Sequence, residues 1–282
     1  MAAIFTTMAL TLGCSSGSGD SAGGNENEVT VKGSDTMVHL AGVWAEEYMK
    51  EHPDTTVSVT GGGSGTGIAA LLNGMTDICN ASRKIKDKEL QQCKQQGIEA
   101  VETIVARDGI VLAVNPENPV KELTVEQIGK IYIGATNNWS ELGGPDAEIV
   151  VLSRDSSSGT YGFFQKTVLK KKDYRADAKL MPATSAIVQE IEGNKWAIGY
   201  VGLGYAAEAA DKIAMISVKA DADSPAVVPS EETVASGEYS ISRPLRIYTA
   251  GEPQGKVKEF IEFCLSAPGQ EVVRETGYVP VK

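Results

Sequence analysis

Short apolar segments that run directly into glycine- and hydroxyl-rich turns constrain the fold of this chain most. Three such turns occur, Gly33–Thr36, Gly61–Gly67 and Ser153–Thr160. Each follows a strand pattern, and apolar residues then recur at helical spacing. This alternation predicts an α/β fold with a largely parallel sheet. Because the carboxyl ends of neighbouring strands face one crevice in open α/β sheets, we expect the three turns to converge.

The chemistry of these turns favours an anion. The first N–H groups of a helix lack partners within the helix, the helix dipole adds positive charge there, and glycine lets an anion approach closely. Helix capping explains any one turn equally well, but three in one chain favour a binding site. Arg83 and Arg154 follow predicted strands at the same end, where guanidinium groups suit a tetrahedral oxyanion. The alternative for each arginine is a surface salt bridge.

Composition excludes several classes of protein. The chain of 282 residues has 26 Lys and Arg against 37 Asp and Glu, a net charge of −11, which disfavours nucleic-acid binding. Its two histidines, His39 and His52, argue against a histidine-rich metal site and leave few candidates for a catalytic triad. A nucleotide P-loop and a Gly-x-Ser-x-Gly elbow are both absent from the sequence. We therefore expect no metal and no cofactor.

The amino terminus has the features of an export signal. Residues 1–13 are apolar and hydroxylic, too short to span a bilayer but as long as a signal-peptide core. Leu12-Gly13-Cys14 resembles a prokaryotic lipobox, although the usual basic start is missing. Residues 15–28 are rich in Gly and Ser, as in a flexible tether. We predict a signal segment over 1–13 and a lipid-anchored Cys14 with its tether over 14–28. The alternative is a disordered tail with a chance cysteine.

Several further expectations concern single elements. Ile110–Asn115 is a continuous apolar run that predicts a strand buried on both faces. Residues 219–242 are expected to be mostly loop. Cys79 and Cys93 are candidates for a disulfide in an oxidising compartment, whereas Cys264 is predicted to be buried on an amphipathic helix.

Taken together, these motifs resemble the phosphate-binding lipoproteins of high-affinity phosphate ABC transporters. The resemblance runs from Val29 to Lys282. It is carried by the lipobox and tether and by Gly33–Met37, Gly61–Gly67, Ala81–Arg83, Asn138-Trp139, Arg154–Thr160, Ile198–Tyr205, Arg243–Tyr248 and Gly251–Pro253.

The resemblance implies a two-lobed periplasmic-binding-protein fold of type II topology, with two crossover hinge segments and a cleft between the lobes. The crossovers are placed near Val111–Asn115 and Ser242–Tyr248. Lobe I then comprises 29–111 with 248–282, and lobe II comprises 115–242. It also implies a monomeric, non-enzymatic receptor, extracytoplasmic and tethered to the membrane, which hands inorganic phosphate to the permease subunits of an ABC transporter.

The resemblance also implies a set of phosphate-binding residues: Ser34, Asp35, Thr36, the Met37 backbone, Ser64, Arg83, Arg154, Ser158, Gly159 and Thr160. The chain departs from some family members at Arg83, where they carry an acidic residue that accepts the proton of hydrogen phosphate. Asp35 is our candidate for that acceptor, and Asp155 is expected to hold Arg154 in place.

Three alternatives remain open at this point. The same scaffold could be tuned to sulfate, molybdate or an organophosphate, which the departure at Arg83 suggests. A secreted phosphatase or esterase would use Ser64 or Ser158, but an activated nucleophile needs a base nearby. An adhesin or structural surface lipoprotein would carry a cleft that binds no oxyanion.

Overall fold

Twelve strands and ten α-helices alternate along residues 27–281, the part of the chain that the computed structural model describes. The strands are β1 Glu28–Gly33, β2 Thr56–Thr60, β3 Ile78–Ala81, β4 Ala100–Val114, β5 Glu122–Thr124, β6 Val150–Arg154, β7 Lys179–Met181, β8 Ala197–Gly202, β9 Ala214–Met215, β10 Ser217–Lys219, β11 Ala226–Val227 and β12 Ser242–Ala250. The helices are α1 Val38–Glu51, α2 Ser64–Leu72, α3 Asp87–Gln95, α4 Val125–Tyr132, α5 Gly159–Thr167, α6 Thr184–Gly193, α7 Leu203–Glu208, α8 Glu231–Ser236, α9 Gly255–Leu265 and α10 Ala267–Glu275.

One large sheet runs through the described chain in the order β2-β1-β3-β12-β4-β8-β6-β7, with β9 paired to β4. Its two ends are parallel, since β1 pairs with β2 and β3, and β6 pairs with β7 and β8, all in parallel. The middle is antiparallel, because β12 pairs in that sense with β3 and β4, and β4 with β8. The sheet is therefore mixed rather than largely parallel. The two long central strands account for the difference.

Strand β4 joins the two ends of the sheet. Residues Ala100–Gly109 pair with β12, whereas Ile110–Val114 pair with β8, so the partner changes between Gly109 and Ile110. Ile110–Val114 is fully buried, as its apolar sequence predicts. The strand begins ten residues before the predicted start, in a stretch where exposed and buried residues mix. We call the β1 side lobe I and the β8 side lobe II; the lobe boundaries given above stay a prediction.

Each side of the sheet has its own hydrophobic core. On the lobe I side, Trp44 and Tyr48 of α1 pack with Phe260 and Cys264 of α9, and the Trp44 indole N–H donates to Gly269 O of α10 at 2.7 Å. The amphipathic helix predicted around Cys264 is α9, and the predicted burial of Cys264 is confirmed. On the lobe II side, the end of β4 packs with β6, β8, α4 and α6.

Residues 219–242 are mostly loop, as predicted, although they contain the short elements β11 and α8. The structure corrects two other local expectations. Helix α2 begins at Ser64, inside the glycine-rich turn, and not after it. The disulfide candidates Cys79 and Cys93 are free thiols. Cys79 in β3 and Cys93 in α3 are both buried in one apolar cluster. Burial raises the pKa of both thiols.

The predicted signal segment and Cys14 lie outside the described residues, as does the tether up to residue 26. Glu28, which was placed in the tether, is the first residue of β1. Among residues 27–281 there is no helix with the length and apolar character that a membrane crossing requires.

Candidate functional site

The three hydroxyl-rich turns meet between the lobes. In the first turn, Asp35–Met37 forms a 3-10 helix that leads into α1, while α2 and α5 begin at Ser64 and Gly159. Thr36 Oγ1 lies 2.9 Å from Thr160 Oγ1, and Gly65 N donates to Ser157 O at 2.9 Å. The predicted convergence of the turns is therefore present in the structure.

Backbone contact at the junction is close enough to require glycine. Gly63, with a φ of 102°, lies so near Ser157 that a Cβ would be 2.8 Å from the Ser157 carbonyl oxygen. At Gly159 a Cβ would lie 2.2 Å from Ser64 Oγ and 2.5 Å from Ser82 Oγ. Since these contacts join lobe I to lobe II, the cleft is closed in this structure.

Hydroxyl groups line the junction, and one of them has no protein partner. Ser64 Oγ accepts from Ser82 N at 3.0 Å, and Ser158 Oγ caps α5 by accepting from Tyr161 N at 3.3 Å. Ser34 is 2 % exposed, yet its Oγ makes no hydrogen bond with any described residue. Buried polar atoms are nearly always hydrogen-bonded, so an orphaned hydroxyl in a cleft indicates a ligand position.

Arg154 closes the site from lobe II. Its Nη1 donates to Asp35 Oδ2 at 3.0 Å and to Thr184 Oγ1 at 2.9 Å, and Nε and Nη2 donate to the carbonyl oxygens of Met181 and Pro182. Only one of its five N–H groups is left over. Arg154 is 2 % exposed. It is therefore a buried cation beside the turns, and its bond to Asp35 connects the two lobes.

Asp35 of lobe I is the partner of Arg154 across the cleft. Its Oδ2 accepts from Arg154 and also from Thr184 N at 2.8 Å and Thr184 Oγ1 at 2.7 Å, whereas Oδ1 accepts no hydrogen bond from the described residues. Tyr205 donates its hydroxyl to Asp35 O at 3.2 Å, and burial together with the Asp35 charge raises the pKa of Tyr205 to about 12.

The expectation that Asp155 holds Arg154 is wrong. Asp155 Oδ1 accepts from the backbone N–H and the hydroxyl of Ser157. Neighbouring residues at the end of a strand point to opposite faces, so the side chain after Arg154 turns away from it. Asp35 has the role that the sequence suggested for Asp155.

Arg83 and the Met37 backbone are engaged elsewhere. Arg83 forms two hydrogen bonds with Glu89 of α3, at 2.7 and 2.8 Å, and a third with Lys84 O. Met37 N donates to Ser34 O at 3.0 Å within the 3-10 helix. These two neighbours take three of the five N–H groups of the Arg83 guanidinium, and its contact with an anion stays a prediction.

Sequence reasoning missed a buried ion pair behind the threonines. Arg243 Nε and Nη2 donate to Asp108 Oδ2 at 3.1 and 2.9 Å, and both side chains are 0 % exposed. Arg243 Nη2 also donates to Thr160 Oγ1 at 3.0 Å, and Asp108 Oδ1 accepts from Leu203 N. Burial raises the pKa of Asp108, and the guanidinium opposes that shift. The signal in the sequence was Asp108, a charged residue two positions before the apolar run that begins at Ile110 in β4.

Comparisons with known proteins agree with this geometry. The family model of a PBP superfamily domain matches residues 18–268. The phosphate-binding protein PstS of Staphylococcus haemolyticus is 36% identical over 276 residues, covering 93% of this chain and 86% of the relative.

Solved structures give the same result. A putative phosphate ABC transporter substrate-binding protein of Clostridium perfringens, with bound phosphate, is 34% identical with a TM-score of 0.82, over 91% of this chain and 100% of that one. An ABC-type phosphate transport receptor of Vibrio cholerae is 31% identical with a TM-score of 0.70, over 89% and 99%. With a two-domain α/β fold, a closed cleft of hydroxyls and helix N-termini, and relatives of this identity over most of its length, the chain belongs to the PstS phosphate-binding proteins of the PBP superfamily.

Proposed function

We propose that this protein is an extracytoplasmic receptor that binds inorganic phosphate in the closed cleft and delivers it to an ABC permease. The observation that carries the proposal is the convergence of two helix N-termini and several hydroxyls on one buried junction, where Ser34 Oγ lacks a partner. N–H groups and hydroxyls are neutral donors, and they bind an anion even in a chain of net charge −11 because salt screens distant charges.

The proposed contacts are the groups that face the junction and have donors to offer: Ser34, Thr36, Ser64, Ser158, Gly159 and Thr160. Arg154 has one N–H group left to direct toward the ligand. We leave Arg83 out, because its charge is paired with Glu89 through two hydrogen bonds. Met37 is left out because its N–H is engaged with Ser34 O.

Asp35 is proposed to select phosphate over sulfate. Hydrogen phosphate carries a proton at neutral pH and sulfate does not, so a carboxylate beside the ligand accepts a hydrogen bond from the first and repels the second. Three donors bind Asp35 Oδ2, and Oδ1 is the oxygen that remains available to the ligand.

Binding is favoured over catalysis by the surroundings of the two candidate nucleophiles. Ser64 Oγ interacts with Ser82, and Ser158 Oγ accepts from Tyr161 N. His39 is exposed on α1, and His52 stacks on Tyr48 at the far end of that helix. Neither hydroxyl thus has the adjacent base that activates a serine.

The sequence of residues 1–28 supports a further part of the proposal, in which Cys14 is lipidated and the receptor acts as a tethered monomer. Metabolic labelling with a radioactive fatty acid tests the anchor, and Cys14→Ser is expected to abolish the label. Labelling that persists in this variant would overturn the anchor.

Calorimetric titration of the phosphate-stripped protein with phosphate and then sulfate tests the receptor. We expect tight phosphate binding and weak sulfate binding. Ser34→Ala should weaken phosphate binding about tenfold, the worth of one hydrogen bond to an anion, without lowering the free energy of unfolding, since the hydroxyl has no bond to lose.

Thr55→Val is the matched control. Thr55 Oγ1 is also buried and without a hydrogen-bond partner, but it precedes β2 at the end away from the turns. Phosphate affinity should be unchanged in this variant. Failure of the unmodified protein to bind phosphate, or equal affinity for sulfate, would contradict the proposed function.

A further inference from the structure

A second pocket lies between the lobes, beside the closed cleft. Its volume is about 620 Å³, and its walls come from the connection between β3 and α3, from α5 and the turn after it, and from β12. None of the hydroxyl residues proposed to contact phosphate lines it. The pocket is therefore a separate space that both lobes share.

The lining of this pocket is strongly basic. Lys84 and Lys86 extend from lobe I, and Lys166 and Lys171 from lobe II. All four are exposed, and none forms an ion pair within 4.0 Å among the described residues, whereas Asp87 is the one acidic residue of the lining. In a chain with an excess of 11 negative charges, four unpaired ammonium groups around one pocket form a local positive field.

A buried and incompletely bonded guanidinium also belongs to the lining. Arg243 is 2 % exposed and lies over the Phe163 ring, with its central carbon 5.4 Å from the ring centroid. Nε and Nη2 bond Asp108, but Nη1 is buried and makes no hydrogen bond with the described residues. The wall of the pocket therefore contains a buried guanidinium whose Nη1 group has no acceptor among the described residues.

We infer that this pocket binds a small polyanion that carries two or more phosphoryl groups. A single oxyanion would reach only part of the lining, whereas linked phosphoryl groups can meet the exposed lysines of both lobes together. Because the lysines of the two lobes face one pocket in the closed form, their mutual repulsion opposes closure. A polyanion bound between them removes that repulsion, so it should stabilise the closed, ligand-bound receptor.

Inorganic tripolyphosphate, titrated calorimetrically into the phosphate-saturated protein without divalent cations, tests this inference. We expect one molecule to bind per protein, with an affinity that falls as salt is raised. The double variant Lys84→Gln/Lys166→Gln should weaken tripolyphosphate binding about tenfold, as the loss of two exposed ion contacts predicts. It should raise phosphate affinity slightly, because less repulsion between the lobes then opposes closure.

The matched control is Lys94→Gln/Lys212→Gln, which removes one exposed, unpaired lysine from each lobe outside the pocket. It should bind tripolyphosphate as the unmodified protein does. An equal loss in both double variants would mean non-specific attraction, and sensitivity to Ser34→Ala instead would place tripolyphosphate in the phosphate cleft. Either result, or the absence of tripolyphosphate binding, would overturn the inference. The titration with inorganic phosphate tests the proposed function separately.

Discussion

Two aspartate–arginine pairs lie beside the cleft, one bonded to Thr184 and the other to Thr160, but they differ in what they connect. Asp35 and Arg154 come from opposite lobes and meet at the cleft, where the Asp35 side chain is still 16% exposed. Asp108 and Arg243 come from β4 and β12, strands that pair directly with each other, and both side chains are fully buried. The first pair must break when the lobes separate, whereas the second can persist through the motion.

The Asp35–Arg154 pair therefore forms only in the closed state, whereas the Asp108–Arg243 pair stabilises the fold itself. A charge pair formed only in the closed state adds its free energy to ligand binding, because binding and closure are linked. A pair within continuous strands adds its free energy to folding, and its removal leaves a charge in a dry interior. The variants below distinguish the two roles.

Removal of the fully buried Asp108 carboxylate should have the largest effect. Asp108→Asn leaves Arg243 buried without its counter-charge, and we expect the free energy of unfolding to fall by about 3–5 kcal/mol. Chemical denaturation of the phosphate-free protein measures this change. The double variant Asp108→Leu/Arg243→Met removes both charges and should recover much of the loss. A loss below about 1 kcal/mol in Asp108→Asn would show that the two pairs do not differ as described.

Removal of the cleft carboxylate should act on binding instead. Asp35→Asn weakens the contact to Arg154 and the proposed acceptor for phosphate, so we expect affinity to fall about thirtyfold, or about 2 kcal/mol, while the stability of the phosphate-free protein changes little. Calorimetry gives the affinity, and small-angle scattering gives the closure on adding phosphate.

Thr184→Val sharpens this result, because it removes one donor to Asp35 Oδ2 and leaves the carboxylate in place. Phosphate affinity should fall by less than in Asp35→Asn, and the preference for phosphate over sulfate should remain. If Thr184→Val changed that preference as strongly as Asp35→Asn, Asp35 would not be the acceptor.

The smallest effect is expected for an ion pair within one lobe. Burial alone would raise the pKa of Glu89, but hydrogen bonds from Arg83 and from the Lys86 N–H lower it below the ordinary value. A carboxyl whose pKa is lower in the folded state stabilises the protein above its unfolded pKa, and this contribution disappears as pH falls through the folded value.

Glu89→Gln should therefore cost about 1 kcal/mol at pH 7, and the difference from the unmodified protein should vanish in acid, below the ordinary glutamate pKa. Thermal or chemical unfolding measured from pH 7 to pH 3 follows it. A difference that stays constant over this range would mean that the carboxylate charge is not responsible.

Local sequence was sufficient to predict the three turns, because glycine, hydroxyl and helix-start signals lie within a few residues of each other. The sequence also carries a helical signal at α1, α4 and α9, because apolar residues recur at helical spacing in each of them. Helix α3 was missed because Cys93 is its one buried residue, so it has no stripe to detect.

The partners of the charged residues could not be predicted in the same way. Arg83 follows a strand next to the turns, as Arg154 does, but it pairs with the Glu89 carboxylate on the undetected α3. Asp108 and Arg243 are 135 residues apart and meet only through the pairing of β4 with β12. Strand register at that distance depends on the whole sheet, which local patterns do not encode.

The continuity of β4 across the junction has a consequence for proteolysis. A protease needs an unpaired, accessible backbone, and the junction at Gly109 and Ile110 is hydrogen-bonded to β12 on one side and to β8 on the other. No flexible linker is exposed there for cleavage. Limited digestion should therefore cut surface loops such as residues 220–225 before this junction, and the two lobes should not be released as separate fragments.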